Sequence, residues 1–196
     1  MAMRTIVLLG AVLMAAGCGT LGRLDTKQGA AGRSIADYDR VIVADFAAND
    51  TREAKTPEQA AERAAAIEEG RKAFSAKVAE EIRATGAFAE VAQAKMVAPA
   101  LQITGSVDQW EPGNVAARSL VGFAGKSEFN ATVVVSDLET GEELARIVVD
   151  RNSWPLPIGA SSNVVQSVEF LMHQAAKRIA HELAAAKGHA PPPPAR

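Results

Sequence analysis

Residues 127–150 constrain the fold more than any other stretch of this chain. Phe129, Ala131, Val133 and Val135 alternate with Asn130, Thr132 and Ser136, and Leu138-Glu139-Thr140-Gly141 follows them. A returning run then carries Leu144, Ile147, Val148 and Val149. Successive strand residues point to opposite faces, so this alternation predicts a strand with one buried and one wetter face. Two such runs joined by a glycine-bearing turn predict a β-hairpin. The apolar face of that hairpin needs a covering layer, and the rest of the chain supplies candidates for it.

Two stretches have helical spacing. Thr56-Pro57-Glu58-Gln59 reads as a helix start, with Thr56 as cap, Pro57 at the first helical position and Gln59 completing a capping box. Ile67, Phe74, Val78 and Ile82 then share a face, Gly70 is a weak point inside, and Gly86 is placed to end the helix. The second helix is expected to start at Ser161–Asn163. Its apolar face holds Val164, Val168, Leu171, Met172, Ala175, Ile179 and Leu183. Lys177, Arg178 and Lys187 complement its carboxyl end. Three further runs have strand character: 40–46 (RVIVADF), apolar at both parities and so buried on both faces, a short one at 87–93, and 100–110, where Leu101, Ile103 and Val107 alternate with polar residues. The order strand, helix, short strand, strand, long loop, hairpin, helix predicts an α/β (α+β) two-layer sandwich. It has one mixed sheet of about five strands with two long helices packed on it.

The amino terminus gives an address. Arg4 precedes the apolar run Ile6–Ala16, which is too short to span a bilayer and fits the core of a secretory signal. Leu13-Met14-Ala15-Ala16-Gly17 leads into Cys18, the only cysteine of the 196 residues. This resembles a bacterial lipoprotein signal, with Ala15 where that family usually has Leu. The resemblance implies a lipidated Cys18, and Gly19 after it favours the outer membrane, facing the periplasm. The expected organisation is a signal peptide at 1–17, lipidated Cys18 and a flexible tether at 18–37, one α/β periplasmic domain at 38–187, and a Pro-rich disordered tail at 188–196. A net charge of −2 leaves no electrostatic footprint for nucleic acid, and 5% aromatics argue against a stacking platform.

Residues 110–144, WEPGNVAARSLVGFAGKSEFNATVVVSDLETGEEL, carry a family likeness together with VIVADF and ITGSV at 103–107. They resemble the DUF4410 family of bacterial lipoproteins, defined by a Pro-Gly-Asn loop, an Arg, a glycine-rich turn and an Asp-x-x-Thr-Gly hairpin. The glycine turn here, Gly122-Phe123-Ala124-Gly125, is one residue shorter than the usual family form. More remotely the chain is similar to the α/β modules of the TolB amino-terminal domain and the curli secretion lipoprotein. The resemblance implies a protein-interaction module and no specific activity.

Motifs for chemistry are incomplete. Gly122–Ser127 (GFAGKS) ends like a phosphate-binding loop, but Leu120 stands where the first glycine belongs and a strand is expected to follow, not a helix. His181-Glu182 begins a zinc motif whose second histidine is replaced by Ala185. His173, His181 and His189 are spaced so that they cannot converge on one ion, so no metal or other cofactor is expected and all three are read as surface residues. The carboxylate pairs Glu68-Glu69, Glu80-Glu81 and Glu142-Glu143 read as solvated faces. Asp45, Asp137 and Arg118 are the only strand-end polar groups that could be nominated for hydrolysis, so the chain is read as a non-enzyme. Loop 111–126 is the best functional candidate, because long loops inside compact domains tend to be functional. Its expected partner-docking residues are Trp110, Asn114, Arg118, Phe123 and Lys126. The competing reading tucks the loop's apolar cluster beneath the sheet. The expected partners are the membrane, through the lipid, and an envelope protein, with a homo-oligomer also compatible. A small-ligand or lipid carrier, with a pocket between sheet and helices near 122–126, is the alternative function.

Overall fold

A computed structural model describes residues 24–29, 32–50, 52–112, 127–152 and 167–189. The strands are β1 (Asp25–Thr26), β2 (Arg40–Val43), β3 (Ala47–Ala48), β4 (Glu90–Ala92), β5 (Leu101–Glu111), β6 (Glu128–Asp137) and β7 (Glu143–Asn152). The helices are α1 (Pro57–Thr85) and α2 (Val168–Ala186), and Ile35–Asp37 form one turn of 3-10 helix. All strands join one sheet in the order β1-β7-β6-β5-β2-β4, with β3 also pairing with β5. The two-layer α/β reading holds, but among the described residues the sheet has seven strands, not about five. The two additional strands have two residues each. Such strands carry no alternation to read; their partners β7 and β5 create them.

Pairing follows the expected pattern. β2 is parallel to β4 and β5, as a crossover through α1 requires. β5, β6 and β7 form an antiparallel meander. One face of that meander presents Ile103, Val107, Phe129, Ala131, Val133, Ile147 and Val149, and both helices cover it. Phe46, Phe74, Ile82, Phe129, Ile179 and Leu183 are fully enclosed between the layers. Each large side chain so buried contributes about 1.5–3 kcal/mol.

Phe46 explains why β2 and β3 are separate strands. Its N–H donates to Ser75 Oγ at 3.0 Å and its carbonyl accepts from Arg71 at 2.9 Å, so α1 satisfies the backbone where it leaves the ladder. The Phe46 ring lies over Gly105. A Cβ there would sit 2.8 Å from that ring and 1.9 Å from the Thr132 carbonyl oxygen, with φ at +154°. Only glycine fits that approach.

The helix ends refine the sequence reading. Thr56 Oγ1 accepts from Gln59 N–H at 3.2 Å as expected, but Gln59 Oε1 reaches back to Lys55 N–H at 2.8 Å. Gly86 ends α1 with φ +67°. Helix α2 starts at Val168, not at Ser161–Asn163, because Ser167 is extended and its side chain accepts from Phe170 N–H. Gly188 is the start of the expected tail, yet its N–H donates to the Ala185 carbonyl and caps α2. Residues 24–37, expected within the tether, carry β1, a buried Ile35 and the partly buried Leu24. The signal segment, Cys18 and the proline run lie outside the described residues. Among the described residues no helix is long and apolar enough to cross a membrane.

Candidate functional site

Strands β5 and β6 end where the long connection begins and returns. Ser127 Oγ donates to the Pro112 carbonyl at 2.8 Å, so the two ends of segment 113–126 are tied together. Glu111, the last residue of β5, accepts from Arg52 at 3.3 Å. Arg52 in turn forks onto both oxygens of Asp50, at 2.8 and 2.5 Å. The Arg52 guanidinium holds the Asp50 carboxyl below its usual range, and Asp50 raises Arg52 in return. These charges flank a cleft of about 290 Å³ whose remaining walls are Ala48, Ala54, Ala60, Arg63, Ala64 and Ile67.

Beneath this rim lies a chain of aromatic rings. Trp110 meets Phe129 edge to face at 5.8 Å, Phe129 meets Phe74 at 4.8 Å, and Phe74 meets Phe46 at 5.0 Å. Gly70 of α1 lies against the indole, where a Cβ would come within 2.5 Å of two ring carbons. The residue read as a weak point in α1 is therefore what admits Trp110. Trp110 is 8% exposed, so it is a core side chain that supports the base of the loop. Asn114, Arg118, Phe123 and Lys126 fall outside the described residues. Of the GFAGKS motif only Ser127 is described; it is buried, and a strand follows it.

The sheet face away from the helices carries a polar stripe next to this rim. Asp108 accepts from Asn49 at 3.0 Å, Ser106 at 2.6 Å and Thr132 at 3.0 Å. Gln109 bonds Glu128.

The opposite end of the sheet is closed by Asp137. One of its oxygens accepts from the Tyr38 hydroxyl at 2.5 Å and from Arg33 at 3.1 Å. The other accepts from the N–H groups of Glu139 and Thr140 at 2.7 and 3.3 Å. The Tyr38 hydroxyl, those N–H groups and Arg33 hold the Asp137 carboxyl below its ordinary value, and burial raises the Tyr38 phenol. Of the hydrolase candidates, Asp45 and Asp137 do not converge. Asp137 pairs with Leu101 at the start of β5, whereas Asp45 lies exposed beyond the end of β2, across β5 from β6. Arg118 is outside the described residues.

Members of the other acidic pairs, and His173, take part in surface ion pairs. Glu68 is held by Arg71 and Lys72, which lower its carboxyl to about 2. Glu143 is held by Arg146 and Lys27, also to about 2. His173 Nδ1 is 3.6 Å from Glu81. Among the described residues no cluster of three His, Cys, Asp or Glu could hold a metal. The sequence reading missed the Asp50–Arg52–Glu111 set. Its only signal was an Asp-x-Arg spacing in a loop, which needs the end of β5 beside it to acquire meaning.

A mixed sheet under two helices, with one long connection springing from a tied base, defines a small two-layer α/β module. The chain belongs to the DUF4410 family: the model of that family, described as a domain of unknown function, matches residues 41–156. No curated protein matches the chain. Among solved structures it is similar to the PelC dodecamer from Paraburkholderia phytofirmans, at 18% identity, covering 80% of this chain and 98% of that one, with a TM-score of 0.48. A DUF330 protein from Xanthomonas campestris gives 18% identity, coverage of 74% and 80%, and a TM-score of 0.42. A Caulobacter crescentus chain described as a lipoprotein gives 12% identity, coverage of 74% and 91%, and a TM-score of 0.40.

Proposed function

We propose that this protein is a non-catalytic, lipid-anchored module of the bacterial envelope that docks a partner protein through the segment between β5 and β6. The tied base carries this reading. Ser127 and Pro112 join the ends of segment 113–126, Trp110 and Gly70 support it from below, and Arg52 and Glu111 brace its flank. A recognition segment on a rigid platform loses less conformational freedom when it binds. Leu120, Val121 and Phe123 supply apolar contact and Arg118 and Lys126 supply charge. The signal ending in Cys18 supports the anchor and the outer-membrane, periplasm-facing address, since an acyl chain contributes about 0.8 kcal/mol for each buried methylene. The pocket of the carrier reading, near 122–126, falls outside the described residues.

The test is affinity purification with cross-linking from envelope fractions, using the wild type and a Phe123→Ala/Arg118→Ala double variant. The variant should lose its envelope partner while its circular dichroism stays unchanged. An unchanged partner set would remove segment 113–126 from consideration. For the anchor, the wild type should carry an acyl mass at Cys18 and Cys18→Ala should not; an unprocessed start with a bare thiol would refute that half of the reading.

A further inference from the structure

Strand β5 carries an extra residue near its end. Val107 pairs with Ala131 and Gln109 with Asn130, so Asp108 has no counterpart on β6. This is a β-bulge. Its place follows from the core on either side of it. Val107 and Ala131 are buried on the helix-covered face, and so are Trp110 and Phe129. From Val107 to Trp110 the chain takes three steps, and from Ala131 to Phe129 it takes two. Because side chains alternate with period two, β5 returns to the buried face in register only by inserting one residue. Asp108 and Gln109 therefore both lie on the outer face, where Asp108 meets Thr132 and Gln109 meets Glu128.

Bulges re-aim side chains and end strand pairing, and they concentrate beside functional sites. Here β3 stops at Ala48, which faces Val107. The next residue, Asn49, is held twice. Its N–H donates to the Val107 carbonyl at 3.0 Å, and its side-chain amide donates to Asp108 Oδ1 at 3.0 Å. Ser106 Oγ donates to the same oxygen at 2.6 Å and Thr132 Oγ1 to the other at 3.0 Å, so β5 and β6 both fix the carboxylate. Asp50 follows Asn49 and accepts two bonds from Arg52, and Arg52 reaches Glu111, three residues beyond the bulge. The bonds close a circuit: Asp108 to Asn49, along the chain to Asp50, across to Arg52, on to Glu111 and back down β5.

We propose that Asp108 is the positioning residue of this rim: through Asn49 it sets where Asp50 and Arg52 stand against Glu111. Its consequence for recognition rests on the docking reading above, in which Arg52 and Glu111 brace the flank of segment 113–126. The circuit itself does not depend on that reading.

The Asp50 carboxyl reports whether the circuit is closed. Arg52 holds it below its usual range, and a carbon-detected NMR titration of the full-length protein in detergent reads each carboxyl separately. Asn49→Ala cuts the circuit without changing any charge, and it should raise Asp50 toward the ordinary carboxylate range. Asp108→Ala should do the same, against the sign of its own charge effect, since loss of a like charge lowers a neighbouring carboxyl. Asp108→Asn keeps an acceptor for Asn49 and Ser106, and its amide can donate to the Thr132 hydroxyl, so it should leave Asp50 low. Asp137, held at the other end of the sheet, should stay low in all three variants. If Asp50 stays low in folded Asn49→Ala, the proposal is overturned. A rise in Asp108→Asn as large as in Asp108→Ala would overturn it too, and a rise of Asp50 and Asp137 together would assign the effect to general loosening of the fold. No partner enters this titration, so its failure is distinct from a failure of docking, which the affinity purification reads.

Discussion

Replacing Gly70 by alanine should destabilise this protein, against the ordinary rule for helices. In an exposed helix interior the change is worth about 1 kcal/mol in favour of alanine. Here the new methyl would lie 2.5 Å from Cδ2 and from Cε3 of Trp110. Carbon atoms in contact sit about 3.5–4.0 Å apart, so the indole must retreat by about 1 Å. It cannot do so freely, because Phe129 stands against it and Phe74 stands behind Phe129. Overfilling a packed core costs about 1–3 kcal/mol, and disturbing an aromatic pair adds about 0.5–1.5 kcal/mol. The net loss is about 1–3 kcal/mol, which lowers the melting temperature by about 2–4 °C for each kcal/mol in a chain of this size. Thermal unfolding followed by far-ultraviolet circular dichroism reads the effect. The decisive comparison uses Trp110→Leu as background. With the indole gone, Gly70→Ala should reverse sign and stabilise by about 1 kcal/mol. If Gly70→Ala stabilises the wild type, or has the same effect in both backgrounds, Trp110 is not the reason for the glycine.

Gly105→Ala should yield no folded protein, because its Cβ meets the Thr132 carbonyl at 1.9 Å between two long strands; a soluble variant with native circular dichroism would contradict the packing described. Tyr38→Phe removes the hydroxyl donated to the buried Asp137 carboxylate and should cost about 1.5–3 kcal/mol in chemical denaturation. The Asp137 carboxyl lies below its unfolded value, so its contribution is complete above about pH 4 and is lost as the pH falls through the folded value. Asp137→Asn should therefore flatten the acid limb of a stability–pH curve while lowering its neutral plateau; an unchanged acid limb would refute the assignment. Ser167→Ala should cost about 1 kcal/mol by freeing the Phe170 N–H, and a neutral result would place the helix start elsewhere.

What could be read in the sequence followed the strength of local signals. The hairpin at 127–150 announced itself because its alternation runs from Glu128 to Val135 on β6 and its turn contains Gly141, which has φ +73°. Helix α1 announced both ends, through Thr56-Pro57 and Gly86. β1 and β3 were invisible because two residues carry no period, and each exists only against a longer partner. The α2 start was misplaced because Ser161, Ser162 and Asn163 are as good caps as Ser167, and choosing among equal caps needs the tertiary structure. The candidate site was legible as a long glycine-containing connection between strands. Its supports were not. Gly70 looked like a defect, and Trp110 looked like an anchor for a partner, because a contact forty residues apart leaves no trace in either local pattern.

The two ends of the sheet are built on different principles, and this difference constrains where recognition can occur. At the Asp137 end the groups are committed to the fold: both carboxylate oxygens are bonded, the Tyr38 hydroxyl is bonded, and Lys187 is held by the Tyr38 carbonyl and Asp39 at 2.6 and 2.7 Å. A partner binding there would have to break bonds that stabilise the domain. At the Trp110 end stability comes from buried rings, while the polar groups of the rim lie in the surface layer around Asp50, Arg52 and Glu111. Buried rings tolerate change above them as long as their own packing persists. Substitutions around Asp137 therefore act first on folding, whereas under the proposed docking role substitutions in segment 113–126 would act first on binding.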